Sequence, residues 1–195
     1  MLNKGRLIVI SAPSGTGKTT LINMLIKHHP DFIFSISATT RQPRGKEKNG
    51  VEYFFLSGDQ FAKKIENGEF VENKTVYGNS YGTLRTFVED NLKDKKNIIF
   101  DIDVQGGLAI KEQYPDETIM IFIYPPSLEE LKKRLIIRKT DSEETIEKRL
   151  KFAKNEMEKM KFYSYNICND SLKDAYAEIE RVLLTEGVIK LKQGN

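Results

Sequence analysis

The chain has 195 residues, of which 39% are apolar and 30% charged; at about 150 residues per domain this suits one globular core with room for an insert. Six prolines and thirteen glycines exclude a collagen-like or linker-dominated chain, no apolar run approaches the roughly 20 residues of a membrane helix, and the run behind Lys4 and Arg6 stops short of the ~7–15 apolar residues of a signal peptide. The net charge of +3 is too small to point to nucleic acid, and one cysteine, Cys168, makes neither an internal disulfide nor a thiolate cluster, so a reducing cytoplasm is expected.

Residues 6–11 (RLIVIS) form a β-branched apolar run suited to a strand buried on both faces. After a Gly/Pro/Ser-rich turn, Leu21, Ile22, Leu25 and Ile26 predict a helix over residues 19–28, with His28 and His29 at its end as dipole-complementing surface residues. Residues 35–92 break this rhythm. Short alternating runs (51–56 and 70–76) and turn signals at Asn49-Gly50, Ser57-Gly58, Asn67-Gly68 and Tyr77-Gly78 predict a small mixed insert. Further buried strands are predicted over residues 97–101, 118–124 and 165–168. Ser127-Leu128-Glu129-Glu130 reads as a capping box opening a helix with Leu128, Leu131 and Leu135 on one face. Ile146, Leu150, Ala153, Met157 and Met160 form one stripe of a long helix, and Leu172, Ala175, Ile179 and Val182 mark a last helix after Ser171. The Lys/Glu-rich stretch 129–161 reads as solvated helix faces, and Cys168 as buried and inert. Strands alternating with helices predict an α/β fold whose parallel sheet is covered on both faces.

The strongest motif is Ala12-Pro13-Ser14-Gly15-Thr16-Gly17-Lys18-Thr19, between a predicted strand and helix. Small residues let successive N–H groups point at phosphate oxygens, the helix start adds positive potential, Lys18 neutralises β/γ phosphates, and the Thr19 hydroxyl suits Mg²⁺. The strict pattern has glycine where Ala12 stands, a change compatible with a negative φ. Asp101, at the carboxyl end of a buried strand, is placed to hold a Mg²⁺-bound water. Asp103-Val104-Gln105-Gly106 also matches the D-x-x-G of GTPase switches. A GTPase would need N-K-x-D after a later strand, and Asn73-Lys74 lacks the aspartate and comes too early.

The first 50 residues carry eight Lys/Arg against two acids, Asp31 and Glu47, which points to a local anionic ligand. Arg41 and Arg44, in an extended Pro-punctuated segment, suit a bidentate phosphate fork; taken alone, the pair equally fits two solvated surface arginines. Tyr53, Glu72, Tyr81 and Thr83 add phenols, a carboxylate and a hydroxyl to the same insert, and a carboxylate is the group that reads a ring N–H beside an exocyclic amine, as in guanine.

In order and spacing, the stretch Ala12 to Thr19, Ser37 with Arg41 and Arg44, Gly78-Asn79-Ser80-Tyr81-Gly82-Thr83, Asp101 to Gly106, Tyr124-Pro125-Pro126-Ser127 and Asn169-Asp170 resemble guanylate kinase over nearly the whole chain. The resemblance implies a P-loop three-layer α/β fold: a mostly parallel five-stranded sheet over residues 1–34 and 93–195, a lid at about 134–150, and a mixed α+β GMP-binding insert over 35–92. It implies that Arg41, Arg44, Tyr53 and Tyr81 hold the GMP phosphate and that Ser37, Glu72 and Thr83 read guanine, with Asp103 nearby. It further implies that Lys18, Arg134, Arg138 and Arg149 surround the transferring phosphoryl, and that Asn169 lies near the adenine. The implied reaction is MgATP plus GMP to ADP plus GDP, with dGMP as a second acceptor, in purine nucleotide metabolism. The implied partners are these small molecules and Mg²⁺; nothing calls for nucleic acid, a membrane or an obligate protein partner. Three departures stand out: Asn79-Ser80-Tyr81 keeps only the second of two tyrosines, Lys46 replaces a glycine, and Ile137-Arg138-Lys139 stands for Gly-Arg-Gly, which stiffens the hinge. A binding-only domain of the same fold, expected in longer chains with damaged phosphate loops, fits Lys18 and Thr19 poorly. A kinase for another nucleoside monophosphate is disfavoured by Ser37, Glu72 and Thr83.

Overall fold

The structure is a computed structural model that describes residues 5–137 and 142–190. In chain order these form β1 (Leu7–Ser11), α1 (Lys18–His28), β2 (Ile33–Phe34), β3 (Ala38–Thr39), β4 (Phe54–Phe55), α2 (Gly58–Glu66), β5 (Phe70–Val76), β6 (Asn79–Leu84), α3 (Arg85–Lys93), β7 (Ile98–Asp101), α4 (Val104–Gln113), β8 (Thr118–Tyr124), α5 (Leu128–Ile137), α6 (Glu143–Met157), a 3₁₀ turn (Glu158–Phe162), β9 (Tyr165–Cys168) and α7 (Leu172–Thr185).

The main sheet is parallel throughout, in the order β2-β7-β1-β8-β9. Its strands alternate between two cores. Ile8, Ile10, Ile119, Ile121 and Ile123 point to the face covered by α1 (Leu21, Leu25) and α7 (Ile179, Leu183). Leu7, Val9, Met120 and Phe122 point to the other, covered by α3 (Val88, Leu92) and α4 (Val104, Ile110). Fully burying each such side chain is worth about 1.5–3 kcal/mol, so the two clusters hold the three layers together. The edge strand β2 is only two residues long and has no pattern to announce it. No helix among the described residues is long and apolar enough to cross a membrane.

The insert carries a second sheet, ordered β4-β3-β6-β5, with β3 parallel to β4 and antiparallel to β6. Its own small core joins Ala38, Phe61 and Phe70. A bulge between Phe70 and Glu72 lets β5 serve two cores, Phe70 packing in the insert while Val71 joins the core of the main sheet. The β5–β6 turn puts Tyr77 (φ 48°) and Gly78 (φ 77°) both at positive φ, the geometry of a two-residue type I′ hairpin. Ser57-Gly58, predicted as a turn, instead opens α2: Ser57 caps the helix in a reciprocal box with Gln60.

The long C-terminal stripe divides. Ile146 and Ala153 of α6 pack with Leu131 and Leu135 of α5, whereas Met157 and Met160 rest on the main core, the latter from the 3₁₀ turn. The Ser127 hydroxyl accepts the Glu130 N–H at 3.1 Å, but the Glu130 carboxylate turns to Arg134 at 3.2 Å instead of closing a box. Cys168, expected to be buried, is partly exposed at the end of β9.

Candidate active site

The loop between β1 and α1 is held by contacts on three sides. Gly15 and Gly17 both have φ of 96°, a region glycine enters without penalty. A Cβ on Gly15 would meet Leu135 at 2.8 Å, and one on Gly17 would meet the Asn169 amide at 2.7 Å. The Thr16 hydroxyl donates to the Pro13 carbonyl at 2.7 Å inside the loop. The buried Asn169 side chain donates to the Thr16 carbonyl at 2.6 Å from behind it. Asn169, expected near adenine, thus commits its amide to bracing the loop.

Lys18 opens α1 and reaches back across the sheet edge. Its ammonium lies 2.7 Å from Asp101 Oδ1 and donates to the Ile102 carbonyl at 3.2 Å, an oxygen that also accepts the Ser11 hydroxyl at 2.9 Å. Thr19 is exposed in the first helical turn. A cleft of about 790 Å³ opens above the loop, lined by the residues from Ala12 to Thr20 other than Thr16, by Lys74, Val76 and Tyr77 of the hairpin, by Asp103, and by Arg149, Phe152, Asn155, Glu156 and Lys159 of the lid side. Arg149 donates to the Ser14 hydroxyl at 3.3 Å, which ties α6 to the loop.

Arg134 does not join that cluster. Its guanidinium donates to the Asn169 carbonyl at 2.8 Å and the Asp170 carbonyl at 3.3 Å, and it lines a separate pocket of about 390 Å³ with Gly17, Thr20 and Leu172. Arg138 lies outside the described residues. Of the three predicted lid arginines, the described structure therefore brings only Arg149 to the phosphate cleft.

In the insert, Glu72 and Thr83 are cross-strand partners on β5 and β6, and the Thr83 hydroxyl donates to Glu72 Oε1 at 2.8 Å. Burial pushes the Glu72 carboxyl above its ordinary value, with the Thr83 hydrogen bond and nearby Lys74 opposing. Ser37 stands one residue before Ala38, which pairs with Gly82, so it neighbours Thr83 across the sheet. Gly106, capped by Asp103, lies against Glu72: a Cβ there would come 3.3 Å from Oε2. Burial raises the Asp103 carboxyl, but the Gly106 N–H, Lys74 and Lys18 outweigh it and hold the group below the usual range.

Arg41 lies over the Tyr53 ring, 5.1 Å from its centre, and Tyr81 packs edge-on to Tyr53 at 6.2 Å. Both terminal nitrogens of Arg41 pair with Glu47 at 3.0 Å, and Glu47 also accepts the Arg44 N–H at 2.7 Å. The expected two-arginine fork is therefore a three-member arrangement in which Glu47 fixes Arg41, while the Arg44 side chain is exposed.

Sequence reasoning missed Glu47, Lys74, Asn155, Glu156 and Lys159. Glu156 and Lys159 belong to a stretch whose composition predicts solvated helix surface, yet both line the cleft, and burial raises the Glu156 carboxyl against the opposing charge of Lys18. Lys74 had a legible signal, since it follows Glu72 by two and must share its strand face. His28 and His29 lie at the far end of α1, in a groove of about 620 Å³ against α7. There His28 Nδ1 lies 2.8 Å from the Tyr176 hydroxyl and His29 Nε2 lies 3.0 Å from Glu180.

Among the described residues, no group of three or more His, Cys, Asp or Glu side chains is disposed to hold a metal ion. The Thr19 hydroxyl and the Asp101 carboxylate offer hard oxygen donors at the loop. That set fits a Mg²⁺ carried largely by phosphates and water, and does not fit a metal held by protein ligands alone.

The guanylate kinase family model matches residues 4–186. The guanylate kinase of Myxococcus xanthus is 49% identical over 187 residues, covering 95% of this chain and 89% of that protein. The guanylate kinase of Bacteroides thetaiotaomicron is 48% identical over 180 residues, covering 92% and 88%. The crystal structure of guanylate kinase from Anaplasma phagocytophilum matches with a TM-score of 0.72 at 32% identity, over 97% of this chain and 88% of that one. The chain belongs to the guanylate kinase family.

Proposed function

We propose that the chain transfers the γ-phosphoryl group of ATP to the phosphate of GMP by holding the donor on the loop of residues 12–19 and the acceptor on the insert, 35–92. The observation that carries this reading is that the hairpin holding the Glu72–Thr83 pair continues into Lys74, Val76 and Tyr77, which line the same cleft as Lys18. An oxygen of the GMP phosphate attacks the γ-phosphorus, the bond from that phosphorus to the β–γ bridging oxygen breaks, and ADP leaves with the electron pair. The attacking oxygen is already anionic, so no general base is required. The protein's contribution is alignment and charge neutralisation.

Lys18 neutralises the donor phosphates. Arg149 approaches from the lid, about 134–150, and Arg134 and Arg138 belong to the same lid. Arg41, Arg44, Tyr53 and Tyr81 hold the acceptor phosphate; Ser37, Glu72 and Thr83 read guanine, with Asp103 beside them. Mg²⁺ would be held by Thr19 and, through water, by Asp101, and supplies further neutralisation of the phosphate oxygens. Closure of insert and lid excludes water from the phosphoryl group. The intact Lys18 and Thr19 support turnover over a binding-only role, and a lone Cys168 supports a reducing, cytoplasmic compartment.

The test is a coupled ADP-release assay with ATP and each of GMP, dGMP, AMP, UMP and TMP. GMP and dGMP should turn over and the other three lag by at least two orders of magnitude, as a site built around buried polar groups discriminates. Comparable turnover of AMP and GMP would overturn the assignment.

A further inference from the structure

We propose that Lys74 is a further substrate-positioning residue, a third cation of the insert, beside Arg41 and Arg44, that meets the phosphate of the bound nucleoside monophosphate. The proposal rests on the GMP-kinase reading above. Side chains two apart on a strand share a face, about 7 Å from one another. Lys74 follows Glu72 by two on β5, and across the hairpin it pairs with Tyr81 as Glu72 pairs with Thr83. A carboxylate–hydroxyl pair suited to a base and an ammonium–phenol pair suited to a phosphate therefore follow one another along one face. A nucleotide presents those two groups in the same succession, separated by its ribose.

The hairpin runs from that face toward the loop of residues 12–19, with Val76 and Tyr77 at its tip also lining the cleft. Lys18, Arg149 and Lys159 line the same cleft from other elements. Among its described lining residues, Lys74 is the only cation carried by the insert. Its ammonium pairs with Asp103, and Glu72 and Glu156 are the other carboxylates whose fields reach it. An ammonium has three donors, so a bond to Asp103 leaves two for phosphate oxygens. The side chain is 40% exposed.

The rival role is a prop: Lys74 would only neutralise Asp103 and so shape the base pocket. Calorimetric titration of GMP and of guanosine, which lacks the phosphate, into wild type, Lys74→Met and Lys74→Arg separates the two. On the proposal, Lys74→Met loses about tenfold or more in GMP affinity, the scale of one charge-assisted hydrogen bond. It keeps guanosine affinity within twofold, and Lys74→Arg recovers most of the loss. In turnover, the KM for GMP rises while the KM for ATP is unchanged. Equal losses for GMP and guanosine, or no loss for either, would overturn the proposal. A wild type that binds GMP no better than AMP would instead overturn the reading beneath it.

Discussion

Asn169 is the clearest point at which one side chain controls the phosphate loop. It is 2% exposed, and its amide donates to the Thr16 carbonyl at 2.6 Å. Replacing it by alanine removes a donor from a buried carbonyl, which costs about 1–3 kcal/mol. The lost amide also leaves a void of a few tens of Å³, worth roughly another 1 kcal/mol at about 24 cal/mol per Å³. For a chain of this size each kcal/mol shifts the melting temperature by about 2–4 °C, so Asn169→Ala should melt roughly 4–16 °C lower. The functional effect should be on the donor nucleotide: a looser loop raises the KM for ATP and leaves the KM for GMP nearly unchanged. Asn169→Asp keeps the size but sets a carboxylate oxygen against a carbonyl oxygen, and should lose at least as much. Thermal melts paired with steady-state kinetics in both substrates make the test. An alanine variant melting within about 1 °C of wild type, with an unchanged KM for ATP, would refute the brace.

Lys18→Ala should abolish phosphoryl transfer in a protein that stays folded, a loss of about 3–5 kcal/mol of transition-state binding read as kcat/KM; near-normal turnover would remove the loop from the mechanism. Glu72→Gln should lower the specificity constant for GMP severely and narrow the GMP-to-AMP ratio by tenfold or more, with IMP, which lacks the 2-amino group, between the two in wild type. Because burial raises the Glu72 carboxyl above its ordinary 4.5, falling pH protonates it before an exposed glutamate, which removes its charge and turns one of its two acceptor oxygens into a donor. The KM for GMP should therefore rise on the acid side, and Glu72→Gln should erase that limb. Tyr77→Asn should stabilise the fold by about 0.5–1 kcal/mol, since Tyr77 holds φ 48° at a turn position that Asn occupies with less strain; a lower melting temperature would contradict this.

The parts of the fold that were legible in the sequence are those where burial dictates residue type locally. β1, β7, β8 and β9 are short runs of Ile, Val, Leu, Phe and Met because both faces are covered, and they were read within a residue of their observed ends. The loop of residues 12–19 was legible because its glycines and Lys18 have few other uses together. What stayed hidden depended on partners distant in sequence. Asn169 meets Thr16 across 153 positions, and Arg134 meets the Asn169 carbonyl across 35. No spacing rule connects such pairs. Glu156 and Lys159 were hidden differently: a charged helix face reads as solvated until another element is packed opposite it. Lys74 belongs to neither case, because strand alternation from Glu72 already placed it on the same face.

Three cations that would meet phosphate in the proposed reaction each pair with a carboxylate: Lys18 with Asp101, Arg41 with Glu47, and Lys74 with Asp103. Isolated lysine and arginine side chains lose up to about 2 kcal/mol of rotamer freedom when they are fixed, so a site built from them alone would take that loss out of substrate binding. A carboxylate partner moves the ordering into folding and aims the donors before a nucleotide arrives. It also weakens the field each cation presents, so a single anionic oxygen gains little at any one of them. A nucleotide phosphate that engages several at once recovers the difference through the donors left over on each ammonium and guanidinium. The arrangement therefore favours ligands with phosphates at the right separation over small anions, and its selectivity comes from the spacing of paired cations across the cleft.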